Sequence, residues 1–263
     1  MMNSDARTQA RIGVFVPFTN TNLEPDMAMM CPPRVSVHFA RLGGYDAHEI
    51  PDAHQMAALG AADMEEPIRL LAGVQPDVMI YGCTSATLAH GPEFDRDLAT
   101  RIWQHGGAYT VTAAGALVHA LTHMGATRIA FASPYVSVLN DQAIAFLHCF
   151  GIETVSRADV GETLDNVGQG SMTPRQVFDL GKQADSAAAD AIVLSCTDMR
   201  AVEVISALEA DTGKPVITSN QAMLFQALRY LKLPTAHAAL GRLFGSDLSA
   251  ALEDSVANRK ECP

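Results

Sequence analysis

Two cysteines stand at the ends of apolar runs, and each is followed by hydroxylated residues: Cys83 in PDVMIYGCTSATL and Cys196 in ADAIVLSCTDMR, 113 positions apart. A thiol where a strand runs into the start of a helix meets the positive end of the helix dipole and its free N–H groups, which favour a thiolate. That placement predicts a thiol pKa drawn down from about 8.5 toward neutrality. The same N–H groups, with the hydroxyls of Thr84, Ser85 and Thr197, can hold a substrate carboxylate. One thiolate can then attack or deprotonate a carbon beside that carboxylate, while the other thiol delivers a proton from the opposite side. A lone cysteine at a strand end is most often core packing; the paired placement is what points to chemistry. Cys31, Cys149 and Cys262 lack such symmetry and are read as structural.

The elements that must position these thiols alternate along the chain. The runs RIGVFVPF, RVSVHFARL, PDVMIYGC, AYTVTAA, TRIAFASPY, GIETVSRADV, DAIVLSC and KPVITSN read as strands. Between them lie stretches with helical spacing, such as AHQMAALGAADMEEPIRLLAG and TPRQVFDLGKQADSA, the second opened by Thr173 as N-cap with Pro174 behind it. Strand–helix alternation predicts an α/β fold with parallel sheets, helices on both faces and ligand sites beyond the carboxyl ends of the strands. RIGVFVPF (11–18) also aligns with RIAFASPY (128–135) at nearly the offset of the two cysteines. The chain therefore reads as a duplication: two similar Rossmann-like (flavodoxin-like) lobes related by a pseudo-twofold, with the active site in the cleft between them. Residues 1–112 with a returning segment from about 215 to 263 form the first lobe, and 113–214 the second.

With 48% hydrophobic and 18% charged residues over 263, the composition is that of a globular protein, with no apolar run of membrane-spanning length. A net charge of −11 with scattered Lys and Arg argues against nucleic acid as a partner. A small anion can still bind at local N–H groups, and a homo-oligomer is compatible with everything read so far. The N-terminus lacks the pattern of a signal peptide and the five cysteines contain no CxxC pair, so a cytoplasmic protein with reduced thiols and no zinc site is expected. His119 and His123 have the i,i+4 spacing of a metal pair, but no acidic partner motif accompanies them and they read as an ordinary helix face. The GQG at 168–170 lacks the third glycine and preceding strand of a dinucleotide fingerprint. Asp26, Asp198 and Arg200 lie on loops near the cysteine segments and are minor candidates for substrate contact.

With Asn20 in VPFTNTNLEPDM, Cys83 in YGCTSAT, Tyr135 in ASPY, Asn166 in TLDNVGQGSMTP and Cys196 in LSCTDMR, the chain resembles the aspartate/glutamate racemase superfamily. Within it, the likeness is to the maleate cis–trans isomerase and arylmalonate decarboxylase branch. The resemblance implies Cys83 as nucleophile, Cys196 as acid/base, and Asn20, Tyr135 and Asn166 as ligands of substrate carboxylates or of a developing enolate. It further implies a cofactor-independent isomerase of a small dicarboxylate, maleate to fumarate first. The alternatives it leaves are an aspartate/glutamate-type amino-acid racemase, an arylmalonate-type decarboxylase and an ectoine-pathway enzyme, and a small-acid binding protein is the non-enzyme reading. Arylmalonate decarboxylases carry glycine where this chain has Cys83. Amino-acid racemases follow the second cysteine with Thr-His, where this chain has Thr197 and Asp198.

Overall fold

The structure is a computed structural model; it describes residues 10–44 and 48–245, and Cys262 and the C-terminal tail lie outside them. Among the described residues, the eight β-branched and apolar runs form β1 (Ala10–Pro17), β2 (Val35–Leu42), β3 (Val78–Tyr81), β4 (Tyr109–Thr112), β5 (Arg128–Ser133), β6 (Glu153–Asp159), β7 (Ala191–Leu194) and β8 (Val216–Thr218). The helices are α1 (Leu23–Met30), α2 (Ala53–Gly60), α3 (Glu65–Ala72), α4 (Thr84–Leu88), α5 (Gly91–Gly106), α6 (Ala113–His123), α7 (Ser137–His148), α8 (Asn166–Gly170), α9 (Pro174–Ala184), α10 (Ile205–Thr212) and α11 (Ser219–Tyr230). None of these helices is long and apolar enough to cross a membrane.

The strands make two four-stranded sheets of the same order, β2-β1-β3-β4 and β6-β5-β7-β8, with every pairing parallel. In each sheet the chain runs from the first strand out to the edge and then crosses back to the other side of that first strand. The connections therefore part between β1 and β3, and again between β5 and β7. That parting leaves a crevice at the carboxyl ends of those strands, where α/β folds bind ligands. β3 and β7 are buried along their whole length, as parallel strands covered on both faces are, so their ends are rigidly placed.

The duplication extends to single hydrogen bonds. Asp77, just before β3, accepts from the Arg11 N–H of β1 at 2.8 Å, and Asp190, just before β7, accepts from the Arg128 N–H of β5 at 2.8 Å. Thr112 caps α6 and Thr218 caps α11 in the same way, each hydroxyl accepting an N–H of the first turn. These two helices pack against each other at the junction of the sheets. β8 completes the second sheet, and α11, which follows it, packs on β3 and β4 of the first sheet as well as on β8.

The stretch 53–72, with its helical spacing, forms two helices: Asp52 caps α2, and Asp63 accepts the Glu65 N–H at 2.9 Å to start α3 anew. One local reading is corrected by the structure. Cys149 is disulfide-bonded, whereas Cys31, Cys83 and Cys196 are free thiols. Reduced thiols throughout therefore do not hold. His119 and His123 lie along α6 with their rings against Phe225 of α11, and His123 pairs with Arg229 at 3.0 Å. Burial pushes His119 down to about 4, and Arg229 and His123 add to it.

Candidate active site

Cys83 follows β3 and is the N-cap residue of α4, with extended backbone (φ −133°, ψ 108°). The N–H groups of Ser85 and Ala86 and the Ser85 hydroxyl, 3.7 Å away, face its sulfur. Gly82 lets the end of β3 lie this close to β1, since a Cβ there would sit 2.8 Å from the Phe15 carbonyl oxygen. Cys196 follows β7 in the matching place of the second lobe, and its sulfur accepts the Asp198 N–H at 3.3 Å. Both sulfurs open into one cavity, lined also by Pro17, Thr19, Asn20, Pro51, Met56, Ser85, Tyr135, Asn166, Gln169, Thr197 and Asp198. The two central crevices are thus fused into a single site with one thiol from each lobe.

The lobes are joined at this point by polar contacts. The Thr197 hydroxyl donates to the Gly82 carbonyl at 3.0 Å and accepts from Asn20 Nδ2 at 3.1 Å, which ties the residue before one cysteine to the residue after the other. Asn20 Oδ1 accepts the N–H groups of Asn22 and Leu23, fixing the loop that leads into α1. Asn220 Nδ2 bridges Asp26 Oδ2 at 2.7 Å and the Thr197 carbonyl at 3.0 Å. Asn166 opens α8 and donates its amide to the Glu49 carbonyl at 3.1 Å. The Tyr135 hydroxyl reaches both Cys196 and Ser85, so a line of polar hydrogens runs from one thiol to the other.

Of the residues singled out from the sequence, Asn20, Cys83, Ser85, Tyr135, Asn166, Cys196 and Thr197 come together around this cavity. Thr84 does not: as the first residue of α4 it turns away, and its hydroxyl donates to Ser219 at 3.0 Å. Asp26 and Arg200 line a neighbouring depression instead. Asp198, a minor candidate in the sequence, lines the cavity as well, whereas Pro51, Met56 and Gln169 are not among the sequence candidates.

The thiols differ from expectation in one respect. Burial pushes Cys83 up, against the N–H groups of Ala86 and Ser85 and the Ser85 hydroxyl. Burial also pushes Cys196 up to about 12, with the Asp198 carboxylate adding to it and the Tyr135 hydroxyl opposing. The direction is opposite to the predicted drop toward neutrality, because desolvation of a buried thiolate outweighs the donors at the loop and short helix beside it. Tyr135 is likewise pushed well above its ordinary range by burial and then by the two thiols.

Asp26 supports this site from behind. Burial pushes it up to about 7, against the Asn220 amide, with Glu203 and Asp198 adding to the rise. Its neutral form is favoured by folding, so its contribution to stability is fully present below about pH 4 and is lost as pH rises through 7. Relative to Asp26→Asn, the wild type is expected to lose about 4 kcal/mol between those limits. Urea unfolding of both proteins across that range measures it, and a constant difference would contradict the assignment.

The geometry can be set beside known proteins. The family model described as arylmalonate decarboxylase matches residues 12–244. The chain is 28% identical over 243 residues to a maleate isomerase of Nocardia farcinica, covering 90% of this chain and 96% of that one. The solved maleate isomerase Iso of Pseudomonas putida, a cysteine-to-alanine variant with maleate, superposes with a TM-score of 0.81 at 25% identity, covering 89% of this chain and 97% of that one. A cysteine-to-serine variant of the Nocardia farcinica maleate cis–trans isomerase, with a covalently bound succinylcysteine intermediate, gives 0.81 at 27% identity and covers 89% and 98%.

Proposed function

We propose that this chain, which belongs to the arylmalonate decarboxylase family, is a two-thiol cis–trans isomerase of a small unsaturated dicarboxylate and converts maleate to fumarate. The observation that carries the reading is one cavity with a free thiol from each lobe, each with its own hydrogen-bond partners. A decarboxylation that ends in one protonation needs a single proton donor. Addition, protonation and elimination across a double bond need a nucleophile and an acid.

The Cys83 thiolate adds to one alkene carbon of maleate. The π electron pair moves to the other carbon and into its carboxylate, and Cys196 gives that carbon its proton, leaving a succinyl thioether and a Cys196 thiolate. The former double bond is now single and rotates. Cys196 then removes a proton from the same carbon, the C–S bond breaks, and fumarate leaves with Cys83 again a thiolate. The carboxylate is the electron sink, so the sequence of steps requires no cofactor. Ser85, Tyr135, Asn20, Asn166 and Gln169 offer neutral donors to the two carboxylates. Thr197 acts by joining the lobes, which we divide as 1–112 with the segment from α11 onward, and 113–218, so that β8 stays with its sheet. We assign the enzyme to the cytoplasm.

Incubation with maleate, a phenylmalonate, aspartate or glutamate in D₂O, followed by proton NMR, tests the reading. Conversion of maleate alone supports it; decarboxylation or deuterium wash-in at an amino-acid α carbon, with maleate untouched, overturns it.

The thiols also set a pH dependence. Cys83 must lose its proton to attack, and its folded pKa lies above the ordinary value, so kcat/KM for maleate is expected to rise about tenfold per pH unit through neutrality. Cys196, pushed up to about 12, keeps its proton, so no alkaline fall is expected before that. Initial rates across pH check this, and a plateau already present at neutral pH would contradict it.

A further inference from the structure

We propose that Asp198 is a positioning residue that divides the labour between the two cysteines: its carboxylate keeps Cys196 a thiol, fit to be the acid, and leaves Cys83 to be the nucleophile. This assignment of roles rests on the isomerase reading above, but the electrostatic effect it names does not depend on any substrate.

Asp198 is the one charged side chain among the described residues that line the cavity. It projects from the Cys196 loop of the second lobe onto the β1–α1 loop of the first. There Oδ1 accepts the Thr21 N–H at 2.9 Å, the Asn22 N–H at 3.1 Å, Asn22 Nδ2 at 2.8 Å and the Thr21 hydroxyl at 3.4 Å. Burial raises Asp198, and the donors from Thr21 and Asn22 oppose that rise in favour of the carboxylate. Its other oxygen lies over Gly170, where a Cβ would come within 2.8 Å, so a larger residue there would have to push the carboxylate aside.

Anchored at its tip, the residue aims its own N–H at the Cys196 sulfur. Arg200, two residues on, is paired with Glu203 at 2.7 Å. The groups that face Cys196 are Asp198, Tyr135 and Cys83; those around Asp198 further back are Asp26, Glu203 and Arg200. Cys83 occupies the duplicated position with hydroxyl and N–H donors facing its sulfur, and the carboxylate among the described residues lining the cavity comes from the Cys196 loop. The two thiol sites thus share one architecture and differ by one formal charge. Burial raises Cys196 first; the Asp198 carboxylate adds to that rise, as a like charge beside a thiol does, while the Tyr135 hydroxyl and the Asp198 N–H oppose it.

The test uses the full chain carrying Cys83→Ser, so that Cys196 is the only thiol in the cavity. Iodoacetamide alkylation of Cys196 is followed against pH by peptide mass spectrometry, with and without Asp198→Asn. Asp198→Asn is expected to lower the pH midpoint and to raise the thiolate-dependent rate about tenfold at a given pH below it. Asp198→Glu, which restores the charge, should return the midpoint toward the parent. An unmoved midpoint in the asparagine variant, or a glutamate variant that behaves like it, would leave Asp198 as an interlobe clamp and overturn the proposal. Asp198→Ser carries the same expectation if the asparagine variant does not fold. Since no substrate is added, these outcomes are independent of whether maleate is turned over.

Discussion

Cys83→Ala is expected to abolish the conversion of maleate, with a loss of roughly 10⁴-fold or more in kcat. No other side chain among the described residues can replace it. Ser85, 3.7 Å from the sulfur, is an unactivated hydroxyl that donates to the Met56 thioether, and no histidine or lysine lines the cavity. The substitution shortens a buried side chain by one atom at the start of a short helix, so the fold should be kept and melting should change little. Coupled measurement of fumarate formation checks the rate. Residual activity within tenfold of wild type would remove Cys83 from the role of nucleophile.

Cys196→Ser is expected to have the second-largest effect, a fall of about 10²–10⁴-fold in kcat with KM little altered. A serine hydroxyl is a far poorer acid than a thiol, yet it is nearly the same size and leaves Asn20, Asn166 and Tyr135 where they are. Losing a proton donor slows the chemical step without removing the donors that hold carboxylates. Steady-state rates with maleate separate the two parameters, and a change confined to KM would recast Cys196 as a binding residue. The contrast between the variants matters more than either value, because one removes bond formation and the other removes proton delivery.

Much of the fold and of the site is legible in the sequence because the signals are local. β3 and β7 are short apolar runs ending in a cysteine, and the alignment of the runs at 11–18 and 128–135 reveals the duplication from residue types alone. The parallel pairing and the position of the loops after β1, β3, β5 and β7 follow from strand–helix alternation, which places ligand crevices at those strand ends. What cannot be read is what depends on the third dimension. Pro51, Met56 and Gln169 reach the cavity from the loop before α2, from α2 and from α8, and nothing in the residue types of these stretches marks which side chain faces the cavity. Thr84 follows Cys83 and so reads as a substrate contact, but its place as first residue of α4 turns it toward Ser219.

The thiol pKa values illustrate the same limit. A sequence displays a helix start beside a cysteine, and hence the donors that lower a pKa, but not the burial that raises it. Here burial is the larger influence at both sulfurs. Asp198 is visible as a loop charge, and loop charges are usually solvated. Only the fold reveals that Thr21 and Asn22, far away in the chain, surround its carboxylate with donors.

The central claim is that Cys83 forms a carbon–sulfur bond with the substrate while Cys196 handles the proton. Mass spectrometry of the intact Cys196→Ser protein, quenched with acid after brief exposure to maleate, tests it most directly. The account predicts a species heavier by the mass of one maleic acid, with the addition mapped to Cys83 after proteolysis and absent when Cys83→Ser is treated alike. Unmodified protein at every time point, from a variant that still turns maleate over slowly, would contradict it.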